Sequence, residues 1–240
     1  MSAVASVLLE SPISQRREGH VFVRRLEDWI VSLVLAGMVL IPLAEAFLRR
    51  TLRVGIPAST SIVQHAVLLV GMLGGAIAAR EGRLLALSTL EQTWIPENLR
   101  PASRIFTSAV ATTVTILLAV ASARFVLTER EAGKFLFAPL RVWWIELALP
   151  LGFIAIALRI WWRSSESWSR RADSAVLIVA FVTVAALFPA TSHLFTLLSL
   201  TVLFLASLLG VPAFVTLGGA ALVLFRSLDQ PIASIPIAHY

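Results

Sequence analysis

The chain has no cysteine among its 240 residues, which excludes disulfides, thiolate metal sites and c-type haem attachment. Charge is scarce as well. Only 14% of residues are Asp, Glu, Lys or Arg, against roughly 25% in an ordinary globular domain. The motifs of common enzymes are also missing. No G-x-x-x-x-G-K-[ST] occurs, since Gly133-Lys134 is followed by Phe135 and lacks the upstream glycine. Without that phosphate-cradling loop the chain does not hydrolyse ATP by the usual route. H-E-x-x-H and G-x-S-x-G are absent too, so metalloprotease and serine-hydrolase chemistry have no foothold. A secretory signal would place an apolar core close to the start. Here the first 28 residues are polar and carry Arg16, Arg17, Arg24 and Arg25. The pair Arg16-Arg17 is followed by Glu18-Gly19-His20 rather than an apolar stretch, so the first apolar run is expected to stay as an uncleaved anchor. The sequence predicts no catalytic residue, no cofactor and no metal ligand.

What the chain has in abundance is long apolar runs. Trp29–Leu48, Thr60–Ala79, Ser108–Ala123, Val142–Trp162 and Ala175–Phe188 stand apart, and Leu194–Leu209 and Val211–Phe225 crowd together near the C-terminus. About 20 apolar residues match the roughly 30 Å hydrocarbon core of a bilayer. With 58% hydrophobic residues and a mean hydropathy of +0.86, the chain reads as an all-α integral membrane protein. A pI near 11.3 invites a nucleic-acid partner, but the net charge is only +6. The arginines sit at the ends of the runs, where lipid headgroups and the insertion machinery select them. No nucleic-acid partner is expected; membrane lipids are.

Counting basic residues in alternate connections orients the chain. One side takes Arg16, Arg17, Arg24, Arg25, Arg80, Arg83, Arg100, Arg104, Arg159, Arg163, Arg170 and Arg171. The other takes Arg49, Arg50, Arg53, Arg124, Arg130, Lys134 and Arg141. Twelve against seven places the N-terminus in the cytoplasm under the positive-inside rule. The chain divides near Arg171–Ser174. Four spans precede that point, and the runs after it are short and separated by Pro189, Gly210–Pro212 and Pro231. Asp229–Tyr240 reads as the start of a second membrane module that is cut off. Between spans two and three, Leu84, Leu87, Leu90, Trp94 and Ile95 recur near helical spacing. They fit either a helix lying in the interface, ended by Pro96, or a plain connector.

Polar and small residues inside the runs mark candidate contacts. Gly71, Gly75 and Ala79 repeat every four residues, a stripe that lets another backbone approach closely. Gly218, Gly219 and Ala220 form a second small patch. Each patch reads as packing within the chain or as a docking face. Glu45 stands four residues before Arg49, the spacing of a helical ion pair. His65 is expected to hydrogen-bond a neighbouring helix, and Glu146, beside Trp143 and Trp144, to lie close to the water boundary. A haem-binding redox subunit using His65 and His193, and a membrane scaffold or assembly protein with no transport role, are the alternative readings.

Three places in the sequence carry a family resemblance. Span two closes on Ala78-Ala79-Arg80-Glu81-Gly82-Arg83, an interface-like segment follows, and span four runs from Trp143-Trp144-Ile145-Glu146 to Leu149-Pro150-Leu151-Gly152-Phe153. This order resembles the small, four-span subunit of the tripartite ATP-independent periplasmic (TRAP) transporters, with its A-x-R-x-G and P-x-G-F stretches, over roughly Val23–Trp162. The family often places a histidine and then an acidic residue after A-x-R-x-G; Leu84 and Ser88 stand there, so those roles are not carried over. Leu208-Leu209-Gly210-Val211-Pro212-Ala213-Phe214 with Leu217-Gly218 is similar to the opening of the large TRAP permease subunit, to which some members are fused by a linking helix. The resemblance implies a cytoplasmic segment over 1–28, a four-span module over 29–163, a linker and linking helix over 164–190, and the start of a large-permease-like module over 191–240. It also implies a multi-pass protein of the bacterial inner membrane, partnered by the large permease and a periplasmic substrate-binding protein, serving Na⁺-driven uptake of an organic anion. Arg49, Arg50, Arg53, Arg141 and Glu146 would then face the periplasm, as contacts to the binding protein or as an ordinary solvated loop.

Overall fold

In a computed structural model, every long apolar run folds as helix. The structure describes residues 12–56, 58–84, 96–137, 140–165, 167–187 and 192–228. The helices are α1 (Pro12–Thr51), α2 (Ser59–Glu81), α3 (Arg100–Ala132), α4 (Val142–Glu146), α5 (Ala148–Arg163), α6 (Trp168–Leu187), α7 (His193–Leu208) and α8 (Ala213–Ser227). A two-stranded antiparallel ribbon, β1 (Phe135–Phe137) and β2 (Leu140–Arg141), pairs Phe135 with Arg141 between α3 and α4. The protein is an all-α membrane protein, and the ribbon is a local addition that the apolar pattern does not announce. Among the described residues, four stretches are long and apolar enough to cross a membrane: Arg25–Thr51, Ser59–Glu81, Arg100–Ala132 and Val142–Arg163. α7 and α8 are apolar but shorter. The expected interfacial segment falls largely on 85–95, and the terminal stretch 229–240 and Pro189 likewise lie outside the described residues.

Close packing divides the chain into two units, with the boundary inside α2 between Leu73 and Gly74. In the first unit, α1 exposes large apolar side chains along its length, among them Trp29, Leu33, Val39, Leu43 and Phe47. Pro42 lies inside this helix and lacks the N–H that would bond the carbonyl four residues back.

The second unit is organised around α3. Its buried residues are small or hydroxylated over long stretches: Ala109, Ala111, Thr112, Thr113, Thr115, Ala119, Ala121 and Ser122. Thr115 Oγ1 and Ser122 Oγ donate back to the carbonyls of Ala111 and Leu118, at 2.6 and 2.8 Å, so two hydroxyls are satisfied without a partner helix. Small side chains let α5, α6, α7 and α8 approach α3 closely, which is how helices associate where lipid removes any hydrophobic drive between them. Val110, Val114, Leu118, Leu203, Ala206, Val211, Val215 and Leu222 form the resulting core. The patch at Gly218 and Gly219 packs into it. A Cβ on Gly219 would stand 2.9 Å from Leu203 Cδ2 and 3.2 Å from Val114 Cγ2, and one on Gly218 would stand 3.0 Å from Leu118 Cδ1. That patch therefore serves packing within the chain.

The α7–α8 turn follows from Gly210-Val211-Pro212. Gly210 sits at φ +93°, a conformation that glycine adopts freely. Val211 N–H donates to Ala206 O at 3.1 Å, closing the helix as a Schellman-type end, and Pro212 caps the start of α8.

Candidate functional site

In the first unit, the candidate residues gather at the end of α1. Glu45 pairs with Arg49 at 2.5 Å, as their spacing predicts, and also accepts a hydrogen bond from Ser59 Oγ at the start of α2. One carboxylate therefore ties the two ends of the α1–α2 turn. Ser59 is buried, whereas Arg49, Arg50 and Arg53 are exposed. Arg53 adopts φ +54° just past the helix end. His65 departs from expectation. Its Nδ1 lies 2.7 Å from Ser61 O on its own helix. A carbonyl only accepts, so Nδ1 carries the proton. This hydrogen bond reaches the carbonyl four residues back, so Nδ1 is satisfied within α2.

In the second unit, α2 ends against α5. Arg159 Nη1 donates to Ala76 O, and Arg163 Nη1 donates to Arg80 O, both at 2.6 Å. Two arginines four residues apart thus reach two carbonyls four residues apart, like rungs between neighbouring helices. Arg80 O is among the final carbonyls of α2, which lack intrahelical partners, and a cation there also complements the negative end of the helix dipole. The A-x-R-x-G stretch makes this fit. Ala79 is 2% exposed, and a Cβ on Gly75 would stand 3.2 Å from Ile156 Cδ1. Gly82 has φ +70°, and a Cβ there would stand 2.5 Å from Arg163 Nη2. Glycine is thus needed twice, for the left-handed turn and for the guanidinium beside it. Arg83 N–H closes the turn by donating to Ala78 O at 3.0 Å. A Cβ on Gly71 or Gly74 would meet nothing within 4 Å. Within the second unit, Gly75 is engaged by α5.

At the other end of α3, Glu129 accepts from Lys134 Nζ at 3.1 Å. Arg130 lies over the Trp143 ring at 5.5 Å, and Arg141 over Phe135 at 5.6 Å. Arg141 and Trp144 are exposed. Glu146 is not: it is 7% exposed, and its Oε2 has no hydrogen-bond partner. Glu129 and Lys134 lie within electrostatic reach of it. The helix breaks directly after it, because Pro150 has no N–H to offer the Glu146 carbonyl. Hence α4 and α5 are separate elements, joined at Leu147.

In the sequence Arg159 and Arg163 are only loop charges, whereas in the fold they bind α2. The signal was their four-residue spacing opposite a helix ending in glycine. His193 is exposed as the first residue of α7, capped by Ser192 Oγ, which accepts from Phe195 N–H. Among the described residues no three His, Asp or Glu side chains gather as a metal site. The arrangement holds helices and presents cations at their ends.

The model of a known family, "Tripartite ATP-independent periplasmic transporters, DctQ component", matches residues 38–170, more than half of the 240-residue chain. No curated protein matches the chain. The matched region contains the last third of α1, all of α2 to α5, the A-x-R-x-G turn and both of the arginines that clamp it. The chain therefore belongs to the DctQ component family, the small membrane subunit of TRAP transporters.

Proposed function

We propose that this chain scaffolds a large TRAP permease for Na⁺-driven uptake of an organic anion, delivered by a periplasmic substrate-binding protein. The family match over residues 38–170 carries this reading, because it takes in the second half of the first membrane-length stretch and the whole of the next three. In this proposal residues 29–163 form the small-subunit module, 164–190 the linker with α6, and 191–240 the start of a permease-like module. The N-terminus is cytoplasmic, in the inner membrane of a bacterium.

The mechanism is mechanical. A moving transport domain needs a frame to work against. Supporting features are the close-packed α3 and the two guanidinium bridges holding α5 to α2. The apolar face of α1 is the surface offered to the permease. Arg49, Arg50, Arg53 and Arg141 are periplasmic cations offered to the binding protein, and Glu146, buried at the end of α4, supports the start of the fourth span from inside.

Reversing the charge at Arg49, Arg50 and Arg53 together is expected to weaken docking of the binding protein, read as a raised half-saturating concentration of that protein in proteoliposome uptake. The effect should shrink at high salt, since exposed charges are screened. Unchanged uptake removes these arginines from the docking surface. Failure of any multi-span permease to co-purify with the chain returns it to a scaffold without a transport role.

A further inference from the structure

A cavity of about 450 Å³ opens where α3 begins and α5 ends. Arg100 and Arg104 from the first turns of α3, Arg170 from the start of α6, and Ser164 and Ser165 from the connection line it, with Glu97 as the opposing charge. Glu97 lies 3.6 Å from Arg100, which leaves a basic surplus in the lining. Glu166 falls outside the described residues. α3 starts without an acidic residue in its first turn and without a side-chain cap on Leu99, so the positive end of a long helix dipole adds to the arginines. Ser164 is 6% exposed, and its Oγ has no hydrogen-bond partner. Leaving a buried hydroxyl unpaired is costly, and an acceptor in the cavity would relieve it. Cations, a helix start and an unpaired donor share one chemistry: they suit a phosphate.

We propose that this cavity binds the phosphodiester of an anionic phospholipid headgroup. Its position argues for a lipid rather than for free phosphate. The walls come from the ends of two membrane-length stretches, Arg100–Ala132 and Val142–Arg163, so the cavity lies at a membrane boundary. Exposed Trp162 and Trp168 stand beside it, at 55% and 69%, as tryptophans do at headgroup depth. Arg171 lies over both rings, at 4.7 and 5.5 Å, and its Nε donates to Ser165 O at 2.7 Å. That contact fixes the cavity wall to the aromatic pair. Basic pockets between membrane helices take lipid headgroups in this way.

The test reconstitutes the 240-residue chain in phosphatidylcholine nanodiscs containing a minor fraction of phosphatidylglycerol, and reads lipid retention by native mass spectrometry. Phosphatidylglycerol should be enriched over phosphatidylcholine. Arg104→Gln with Arg170→Gln should cut that enrichment by roughly tenfold or more, and the paired Lys variants should keep most of it. Should the glutamine variant not fold, Ser164→Asp is the substitute; its carboxylate should lower retention by repulsion. Retention unchanged by either variant overturns the site. Inorganic phosphate in millimolar excess should not displace the lipid; displacement would assign the cavity to free phosphate and overturn the lipid reading.

Discussion

Helices α1 and α3 are both long and apolar enough to cross a membrane, yet 0% of one membrane-length window and 61% of the other is buried. The difference lies in which apolar residues each helix uses. α1 presents Trp29, Leu33, Val39, Leu43 and Phe47, all more than 60% exposed. α3 buries Ala109, Ala111, Thr112, Thr113, Thr115, Ala119 and Ala121. Inside a bilayer a leucine gains nothing by leaving lipid for another leucine, so hydropathy does not decide which helix becomes the hub. Close approach decides it, through dispersion between surfaces without large side chains in the way. The same rule holds at Gly218 and Gly219, which fit against Leu118, Val114 and Leu203.

The sharpest way to break this contrast is to put bulk where approach is closest. Gly219→Leu should destabilise the α3–α7–α8 core by roughly 1–3 kcal/mol through overpacking, seen as a lowered unfolding midpoint in detergent. A midpoint equal to wild type would mean that α3 is not held by close packing there. A smaller effect is expected at the end of α2. Gly82→Ala forces a left-handed residue to carry a Cβ, a penalty of about 1–2 kcal/mol, and displaces Arg163 from Arg80 O. Combined with Arg163→Ala, the two losses should fall short of their sum, since they remove one shared contact; strict additivity would refute the coupling. The smallest effect on stability belongs to α1. Leu33→Ala should change the midpoint by no more than about 0.5 kcal/mol. Its consequence should appear as reduced co-purification of a large permease, and a wild-type yield of the complex would free that face of the proposed role.

Much of the chain was legible from residue order. The apolar runs named the helices, Gly210–Pro212 named one of the breaks, and Ala78–Gly82 with Leu149–Phe153 pointed to the family that the match over 38–170 shows. The run Val142–Trp162 reads as one span, whereas Pro150 splits it into α4 and α5. The Glu45–Arg49 pair was legible because both partners lie on one helix, where four-residue spacing sets the distance. Less was legible wherever partners are far apart in sequence. Ser59 joining Glu45, Arg159 and Arg163 bridging to α2 and the basic cavity between α3 and α6 each join segments separated by a turn or by other helices. His65 shows the converse for its Nδ1, which meets a carbonyl four residues back on its own helix.

Composition and periodicity by themselves determined that this protein is a bundle of membrane helices without disulfides, because hydrophobic length and the lack of cysteine are properties of the chain alone. Only the tertiary structure decided which helix sits at the centre of the second unit and which arginines bind backbone rather than lipid or water. Those outcomes depend on how closely two surfaces approach, and that distance is written in no single segment.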